Sequence, residues 1–304
     1  MYDILRERIN RRTFIERTTL TVAGIAMTPA VLAGCGGSTS TSSENLLDQL
    51  RKAGVIRVGF ANEAPYGYAD SSGKLTGEAP TVAKAVMQKL GVPDVEGVLT
   101  EFGALIPGLN ANRFDIIAAG MFITPPRCNA ILFSNPDYVA TEALAVKAGN
   151  PHNLTDYQSL ASSHVVVGAE SGAVEGPWMK QSGVPSSRLQ LFPDGPTGIQ
   201  ALASGRIDAF ALTAISLEYL IKTGGYRNLE VTSPFVPVIG GQKKITAGGY
   251  GFRKSEASLV TQFNQQLAAM QQSGELLKLV EPFGFTGETV TGAYQVTAAQ
   301  VCKA

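Results

Sequence analysis

Two segments of the sequence repeat one pattern, and this repeat restricts the folds that the chain can adopt. Residues 109–115 read Leu-Asn-Ala-Asn-Arg-Phe-Asp, and residues 202–208 read Leu-Ala-Ser-Gly-Arg-Ile-Asp. Each segment joins the end of a predicted helix, at 105–110 or 197–204, to a predicted strand, at 114–118 or 208–212. Alternating strands and helices are typical of βαβ units. The repeat therefore predicts two similar α/β lobes.

Further strands and helices extend these units in both halves of the chain. Residues 55–60 read Val-Ile-Arg-Val-Gly-Phe, which is typical of a strand, and the apolar residues of 256–272 recur at helical spacing. With 44% hydrophobic and 16% charged residues, the chain has enough apolar material for two globular cores. The other predicted elements are strands at 95–102, 165–168, 189–192 and 250–253, and helices at 81–90, 174–181 and 274–283.

The first 44 residues have the pattern of an export leader and a tether. Residues 10–16 read Asn-Arg-Arg-Thr-Phe-Ile-Glu, which resembles a twin-arginine export signal. A weakly apolar stretch then ends in Leu-Ala-Gly-Cys at residues 32–35, which resembles the lipobox of bacterial lipoproteins. We expect residues 1–34 to be a lipoprotein signal peptide, Cys35 to carry the lipid, and residues 35–44 to be a flexible tether. The protein is then exported and anchored at the outer face of the cell membrane or in the periplasm.

The charge balance and the cysteines indicate which kinds of partner and which cellular compartment to expect. Residues 1–34 hold five arginines and three acidic residues, which leaves 20 basic and 22 acidic residues in the rest of the chain. Without a basic excess, nucleic acid is not an expected partner. Besides Cys35, the chain contains Cys128 and Cys302, an even pair in a chain expected on an oxidising side of the membrane. We therefore expect a disulfide between them.

Four further segments resemble one known protein family. They read Ala-Asn-Glu-Ala-Pro-Tyr at 61–66, Glu-Phe-Gly-Ala-Leu-Ile-Pro-Gly-Leu at 101–109, Ala-Gly-Met-Phe-Ile-Thr-Pro-Pro-Arg-Cys at 119–128 and Gly-Arg-Ile-Asp at 205–208. The third resembles the Thr-Pro-x-Arg element of the solute-binding proteins that serve polar amino acid importers, family 3. The first two resemble, more specifically, the ectoine- and hydroxyectoine-binding proteins within that family. The resemblance covers about residues 45–285.

The resemblance implies an α/β, two-lobed, type II periplasmic-binding-protein-like fold, whose ligand cleft lies between the lobes and closes by hinge motion. Lobe 1 would comprise residues 45–140 and 248–290, lobe 2 residues 141–247, and residues 291–304 a C-terminal tail. The chain would cross between the lobes near 138–141 and 246–249. The implied role is that of a monomeric binding protein that delivers a small zwitterionic compatible solute to the permease and ATPase subunits of an ABC transporter.

Residues in the matched segments suit an ectoine-like zwitterion, which carries a carboxylate and a delocalised amidinium ring. Arg127 would clamp the carboxylate with its planar fork of N–H donors. Glu63 would pair with the ring N–H groups. Tyr66, Phe102 and Phe122, at or just after predicted strand ends, would offer their faces to the cation, and each would contribute about 0.5 to 2 kcal/mol.

Three positions depart from the pattern that the resemblance implies for amino acid binders. Phe122 and Thr213 stand where those proteins usually place a small hydroxyl residue and an aspartate to hold the α-ammonium, so a primary ammonium would lose both partners. At Val174 the usual hydroxyl for the ligand carboxylate is missing, but backbone N–H groups at that predicted helix start would still serve. These positions and Gly120, in the third matched segment, complete the predicted set of ligand-binding residues.

Three alternatives stay open on the sequence. The first is a binding protein for polar α-amino acids with the same fold and transporter role. The second is a dehydratase-like enzyme that uses Glu63 as an acid. Against it, the sequence has only His152 and His164 as histidines and shows no Gly-rich phosphate loop and no metal-ligand cluster, so neither a cofactor nor a metal is expected. The third is a structural or signalling lipoprotein.

Overall fold

The computed structural model describes residues 45–303. The predicted signal peptide, the lipobox with Cys35 and residues 36–44 of the predicted tether lie outside the described residues. Within residues 45–303, every helix is too short or too polar to cross a membrane.

The helices and strands of the described residues alternate along most of the chain. The α-helices are α1 (Leu46–Ala53), α2 (Glu78–Lys89), α3 (Leu105–Asn110), α4 (Pro125–Ala130), α5 (Tyr157–Ser162), α6 (Glu175–Gln181), α7 (Gly195–Ala203), α8 (Ala214–Thr223), α9 (Ala257–Ser273), α10 (Glu275–Val280), α11 (Gly287–Ala293) and α12 (Ala298–Val301). Short 3-10 helices lie at Phe102–Ala104, Ser186–Arg188 and Glu281–Phe283. The strands are β1 (Val55–Phe60), β2 (Tyr68–Ala69), β3 (Leu75–Thr76), β4 (Asp94–Leu99), β5 (Ile116–Ile117), β6 (Leu132–Phe133), β7 (Tyr138–Val139), β8 (Glu142–Lys147), β9 (Val167–Glu170), β10 (Leu189–Phe192), β11 (Ala209–Thr213), β12 (Leu229–Val231), β13 (Val238–Ile239), β14 (Gln242–Lys243), β15 (Ala247–Gly248) and β16 (Gly251–Phe252).

Two five-stranded sheets form the centres of two lobes. The strand order is β4-β1-β5-β16-β6 in the sheet of lobe 1 and β10-β9-β11-β8-β12 in the sheet of lobe 2. β1 runs parallel to β4 and β5, and β9 runs parallel to β10 and β11, as βαβ units require. β16 and β8 run antiparallel to their neighbours. The prediction of two similar α/β lobes is confirmed.

The repeated sequence pattern has the same structural role in both lobes. Asp115 accepts a hydrogen bond on Oδ2 from the backbone N–H of Arg57 at 3.0 Å, and its own N–H donates to the Arg57 carbonyl at 2.9 Å. In lobe 2, Asp208 exchanges the equivalent pair of bonds with Val166, both at 2.8 Å. Each aspartate therefore ties the strand that follows a helix to the neighbouring parallel strand.

Some predicted element boundaries differ from those of the structure. The strand predicted at 165–168 is β9 at Val167–Glu170, because the N–H of Val166 is taken by the side chain of Asp208 before the ladder begins. The helix predicted at 81–90 begins at Glu78. Pro80 is compatible with this helix because it lies in the first turn, where a backbone N–H would have no partner within the helix. β8, β12 and α8 were not predicted.

The chain passes between the sheets through two short paired strands. β7 and β15 run antiparallel, with Val139 opposite Ala247 and Tyr138 opposite Gly248. The pairing continues from the N–H of Ala140 to the carbonyl of Thr246 at 3.0 Å. These two strands lie side by side and link the sheets, which is an arrangement suited to hinge motion.

The C-terminal residues pack on lobe 1. Val290 and Ala293 of α11 and Val301 of α12 are buried. Residues 291–303, predicted as a tail, thus include the end of α11 and all of α12. A disulfide joins Cys302, just after α12, to Cys128 in α4, with an S–S distance of 2.04 Å.

Candidate ligand-binding site

A small cavity lies between the lobes at the carboxyl ends of their strands. Thr213 ends β11, while Glu63 and Gly120 follow β1 and β5 by three residues. The volume of the cavity is about 20 Å³, so the lobes must open to admit a solute. The residues that line it are Glu63, Phe102, Gly120, Phe122, Arg127, Ala173, Val174, Glu175, Leu212 and Thr213.

The structure brings seven of the eight predicted ligand-binding residues to this cavity. The eighth, Tyr66, lies behind Gly120, where its fully buried ring packs 5.0 Å from the ring of Tyr138 and 5.5 Å from that of Phe285. A Cβ on Gly120 would lie 2.3 Å from Tyr66 Cγ, and the φ of Gly120 is +64°, so this position requires glycine. The Tyr66 and Thr213 hydroxyl oxygens are both buried and influence each other, but neither makes a hydrogen bond of ordinary geometry within the described residues.

Glu63 reaches across the cleft from lobe 1. Its Oε1 accepts a hydrogen bond from the hydroxyl of Ser216, in α8 of lobe 2, at 3.1 Å. The side chain is buried, and this burial, together with the nearby Glu175 carboxyl, raises the pKa of Glu63 to about 8. The Ser216 bond and the charge of Arg127 act in the opposite direction but do not offset the desolvation.

Arg127 also joins the two lobes. Its Nη1 donates to the carbonyl of Phe122 at 2.8 Å, and its Nη2 donates across the cleft to the carbonyl of Gly172 at 3.0 Å. The guanidinium carbon lies 5.2 Å from the centre of the Phe102 ring. Burial lowers the pKa of Arg127 to about 10, so the group remains charged at neutral pH. Its remaining N–H donors are available for an anionic group of a ligand.

Phe122 lies within an aromatic cluster that spans the cleft. Its ring centre is 6.4 Å from that of Trp178, nearly parallel to it, and 6.3 Å from that of Tyr138. Trp178 belongs to α6 of lobe 2 and was not predicted as a site residue. The sequence gives no signal for it, because the contact depends on how the lobes meet.

Glu175 lines the cavity and was missed by the sequence analysis. It is the first residue of α6 and is 2% exposed. Desolvation raises the pKa of Glu175 to about 7, while Arg127 and a hydrogen bond with Glu142 act to lower it. Glu142, fully buried in β8, accepts a hydrogen bond from the hydroxyl of Tyr157 at 2.9 Å. An acidic residue at a helix start is also explained by the helix dipole, so the sequence alone does not reveal its place in the cavity.

The lobes touch closely beside the cavity. A Cβ on Gly172 would lie 2.3 Å from the Cα of Gly103 in the opposite lobe, and the φ of Gly172 is +84°. Nearby, the hydroxyls of Tyr68 and Tyr219 are 3.3 Å apart. The described structure therefore represents a closed cleft.

A larger cavity of about 310 Å³ adjoins the first and shares Arg127, Ala173 and Val174 with it. Trp178, from lobe 2, and Lys244, which precedes β15, lie on its walls. His152 and His164 line neither cavity.

The chain matches known proteins over most of its length. The family model of bacterial extracellular solute-binding proteins, family 3, matches residues 56–286. A probable amino-acid ABC transporter periplasmic-binding protein of Sinorhizobium fredii is 34% identical over 260 residues, which cover 84% of this chain and 86% of that protein.

Two solved structures are similar in both sequence and fold. EhuB, in complex with hydroxyectoine, is 37% identical with a TM-score of 0.78, and the match covers 85% of this chain and 98% of that chain. An ancestral amino acid-binding protein, a precursor of cyclohexadienyl dehydratase, is 28% identical with a TM-score of 0.68, and the match covers 78% and 98% of the two chains.

Proposed function

The chain belongs to the bacterial extracellular solute-binding proteins of family 3, and we propose that it captures ectoine, hydroxyectoine or a closely similar compatible solute. Membership of this family makes it the solute-binding component of an ABC importer of the amino-acid type, which works with permease and ATPase subunits. Proteins of this family bind solutes for transport. A precursor of cyclohexadienyl dehydratase is among the similar structures, so binding without catalysis is part of what we propose. The identity of the solute is also part of what we propose.

One observation carries the proposal: an acidic group, a guanidinium and aromatic rings meet in one cavity. Glu63 and Arg127 provide a carboxylate and a guanidinium, and Phe102 and Phe122 provide ring faces between the same walls. A solute with a carboxylate and a delocalised cation would satisfy all four residues. The similarity to EhuB in complex with hydroxyectoine supports this choice.

Two positions of the same cavity lack the partners that amino acid binders are expected to offer to an α-ammonium group. Phe122 and Thr213 both line it, at the positions where the family resemblance implies ammonium partners. Phe122 has no polar atom in its side chain, and Thr213 has no charge. At these two positions a primary ammonium would therefore lack a charged acceptor.

Thermal melting of the full chain against a panel of solutes tests the proposal. The panel contains ectoine, hydroxyectoine, glycine betaine, proline, glutamine, histidine and arginine. A true ligand at about 100 times its dissociation constant should add about 2.7 kcal/mol to the free energy of unfolding. Stabilisation by an amino acid but by neither ectoine would establish the polar amino acid alternative instead.

We also propose that the protein is a lipoprotein exported by the twin-arginine route and anchored through Cys35. The support is the sequence pattern of residues 10–16 and 32–35. Replacing Cys35 with Ser should release the protein from the membrane fraction and leave solute binding unchanged. A Cys35→Ser variant that is still labelled with fatty acid would contradict the anchor.

We propose that lobe 1 comprises residues 45–140 and 248–290 and that lobe 2 comprises residues 141–247. We also propose that the exported protein contains the disulfide between Cys128 and Cys302. The disulfide would fix α4, which carries Arg127, to the C-terminal residues that pack on lobe 1. Free thiols on both cysteines in unreduced exported protein would contradict it.

A further inference from the structure

Two carboxyl groups face the cavity from opposite lobes. Glu63 belongs to lobe 1 and Glu175 to lobe 2, and they are 7% and 2% exposed. Arg127 is the one cation among the residues that line this cavity. A single guanidinium cannot neutralise both carboxylates and also the carboxylate of a zwitterionic solute. A cationic group of the solute would supply the further positive charge that the two carboxyl groups require when they ionise.

The two carboxyl groups repel each other when both are ionised. After desolvation, Glu175 is the strongest influence that raises the pKa of Glu63, and Arg127 lowers the pKa of both groups. A cation between the two carboxylates would remove this repulsion. Because the carboxylates belong to opposite lobes, the same cation would also favour the closed cleft.

Glu175 is held in place by a second, more deeply buried carboxyl group. Glu142 Oε1 and Glu175 Oε2 are buried without an ordinary donor among the described residues. A proton shared between the two side chains would satisfy both oxygens. Burial raises the pKa of both groups, but only Glu175 is also influenced by the positive charge of Arg127, so Glu142 carries the proton and Glu175 is the group that ionises.

The geometry of a cyclic amidinium matches two separate acceptors. Its two N–H bonds lie in the ring plane and diverge on either side of the carbon that joins the nitrogens. One carboxylate therefore cannot accept both bonds with good alignment. Two carboxylates on facing walls can accept one bond each, while aromatic faces cover the ring.

We propose that Glu175 is a specificity-determining residue, which accepts one N–H of the solute's delocalised cation while Glu63 accepts the other. This inference rests on the function proposed above and names the feature of the solute that the site selects. A quaternary ammonium offers no N–H, and a primary ammonium carries its donors on one atom. Stabilisation of the α6 N-terminus is the alternative role for Glu175, and that role does not depend on the solute.

The test replaces Glu175 with Gln in the full chain, which keeps the shape of the side chain and removes its charge. Calorimetric titration with ectoine at pH 8 should show at least a tenfold loss of affinity, and binding should release fewer protons than in the native protein. Glu78→Gln is the matched control, since Glu78 is also the acidic first residue of a helix, α2, is 1% exposed and does not line the cavity. Its ectoine affinity should stay within threefold of the native value.

Two results overturn the inference while the proposed function stands. In the first, the native protein binds ectoine and Glu175→Gln binds it within threefold as tightly. In the second, Glu78→Gln loses as much affinity as Glu175→Gln. If melting shows that Glu175→Gln is unfolded, Glu175→Asp, which keeps the charge but withdraws it by one methylene, must lose ectoine affinity for the inference to hold. A native protein that does not bind ectoine would refute the proposed function itself.

Discussion

The two walls of the cleft contribute unlike chemistry to one cavity. Lobe 1 provides Glu63, Arg127 and the rings of Phe102 and Phe122, whereas the lining residues of lobe 2 are small or apolar apart from Thr213 and Glu175. The difference indicates that lobe 1 binds most of the solute and that lobe 2 closes over it. In such a mechanism, solute binding shifts the population from open to closed forms.

Removal of Arg127 should have the largest effect, because it damages both walls at once. Arg127→Ala would leave the solute carboxylate unpaired and would also remove the bond to the Gly172 carbonyl of lobe 2. The expected loss is about 2 to 5 kcal/mol, or about thirtyfold to several thousandfold in affinity. Arg127→Lys, which keeps the charge but not the fork, should recover part of the loss. If calorimetry shows that Arg127→Ala binds ectoine within threefold as tightly as the native protein does, Arg127 does not hold the solute carboxylate.

A rise in pH should destabilise the unliganded protein through the acidic groups of both walls. The pKa values of Glu63 and Glu175 are raised to about 8 and about 7, above the ordinary value of 4.5, so the folded state binds more protons than the unfolded state in this range. Their stabilising contribution is complete below about pH 4.5 and is lost as the pH rises through 7 and 8. The free energy of unfolding should fall by up to about 1.4 kcal/mol per pH unit for each proton.

Thermal melting between pH 6 and pH 9 measures this dependence. Glu63→Gln should flatten it, because the variant has one fewer group that titrates in this range. A melting temperature that rises with pH in the unliganded native protein would show that the carboxyl groups are not buried together as described.

Closure of lobe 2 can be tested separately from recognition by lobe 1. Gly172→Ala would place a methyl group 2.3 Å from the Cα of Gly103 and so hinder closure. An affinity loss of about 1 to 3 kcal/mol is expected. Gly149→Ala is the matched control, since Gly149 has a similar φ of +80° but no neighbour within 4 Å. Equal losses in the two variants would mean that backbone strain, and not closure, is responsible.

The aromatic part of the lobe 1 wall should have the smallest of these effects. Phe122→Leu keeps most of the apolar volume but removes the ring face, so ectoine affinity should fall by about 0.5 to 2 kcal/mol, or up to roughly thirtyfold. Phe192→Leu, which alters a buried ring of lobe 2 outside the cavity, should leave the affinity unchanged. Calorimetric titration of both variants separates a ring contact from a general loss of packing.

Helices and strands whose apolar residues recur at regular spacing, and those beside the repeated aspartate, could be predicted from the sequence. β8 was missed because its residues, Glu-Ala-Leu-Ala-Val-Lys, are mostly buried on both faces and show no alternation of polar and apolar side chains. α8 begins at Ala214 without a side-chain cap, so no start signal marks it. Both elements depend on contacts with the rest of lobe 2.

The site shows the same contrast between residues that a local sequence pattern identifies and residues that depend on distant contacts. The lobe 1 residues lie in three short segments whose family resemblance identifies them, so Glu63, Phe122 and Arg127 could be named in advance. Glu175 could not, because its place in the cavity depends on Glu142, a buried carboxyl group in a strand that the sequence did not reveal. The sequence thus indicated cavity residues that lie in a local motif and gave no signal for Glu175, whose position depends on two distant segments.

A comparison of solute affinities on the native full chain is the most direct test of the proposed specificity for ectoines. Calorimetric titration at one pH and one salt concentration would measure the dissociation constants of ectoine, hydroxyectoine, glutamine, histidine and arginine. We expect ectoine or hydroxyectoine to bind at least tenfold more tightly than each of the three amino acids, because the cavity places two carboxyl groups on facing walls, a guanidinium and aromatic rings around one solute, which suits a delocalised ring cation. Tighter binding of any of the three amino acids than of both ectoines would contradict it.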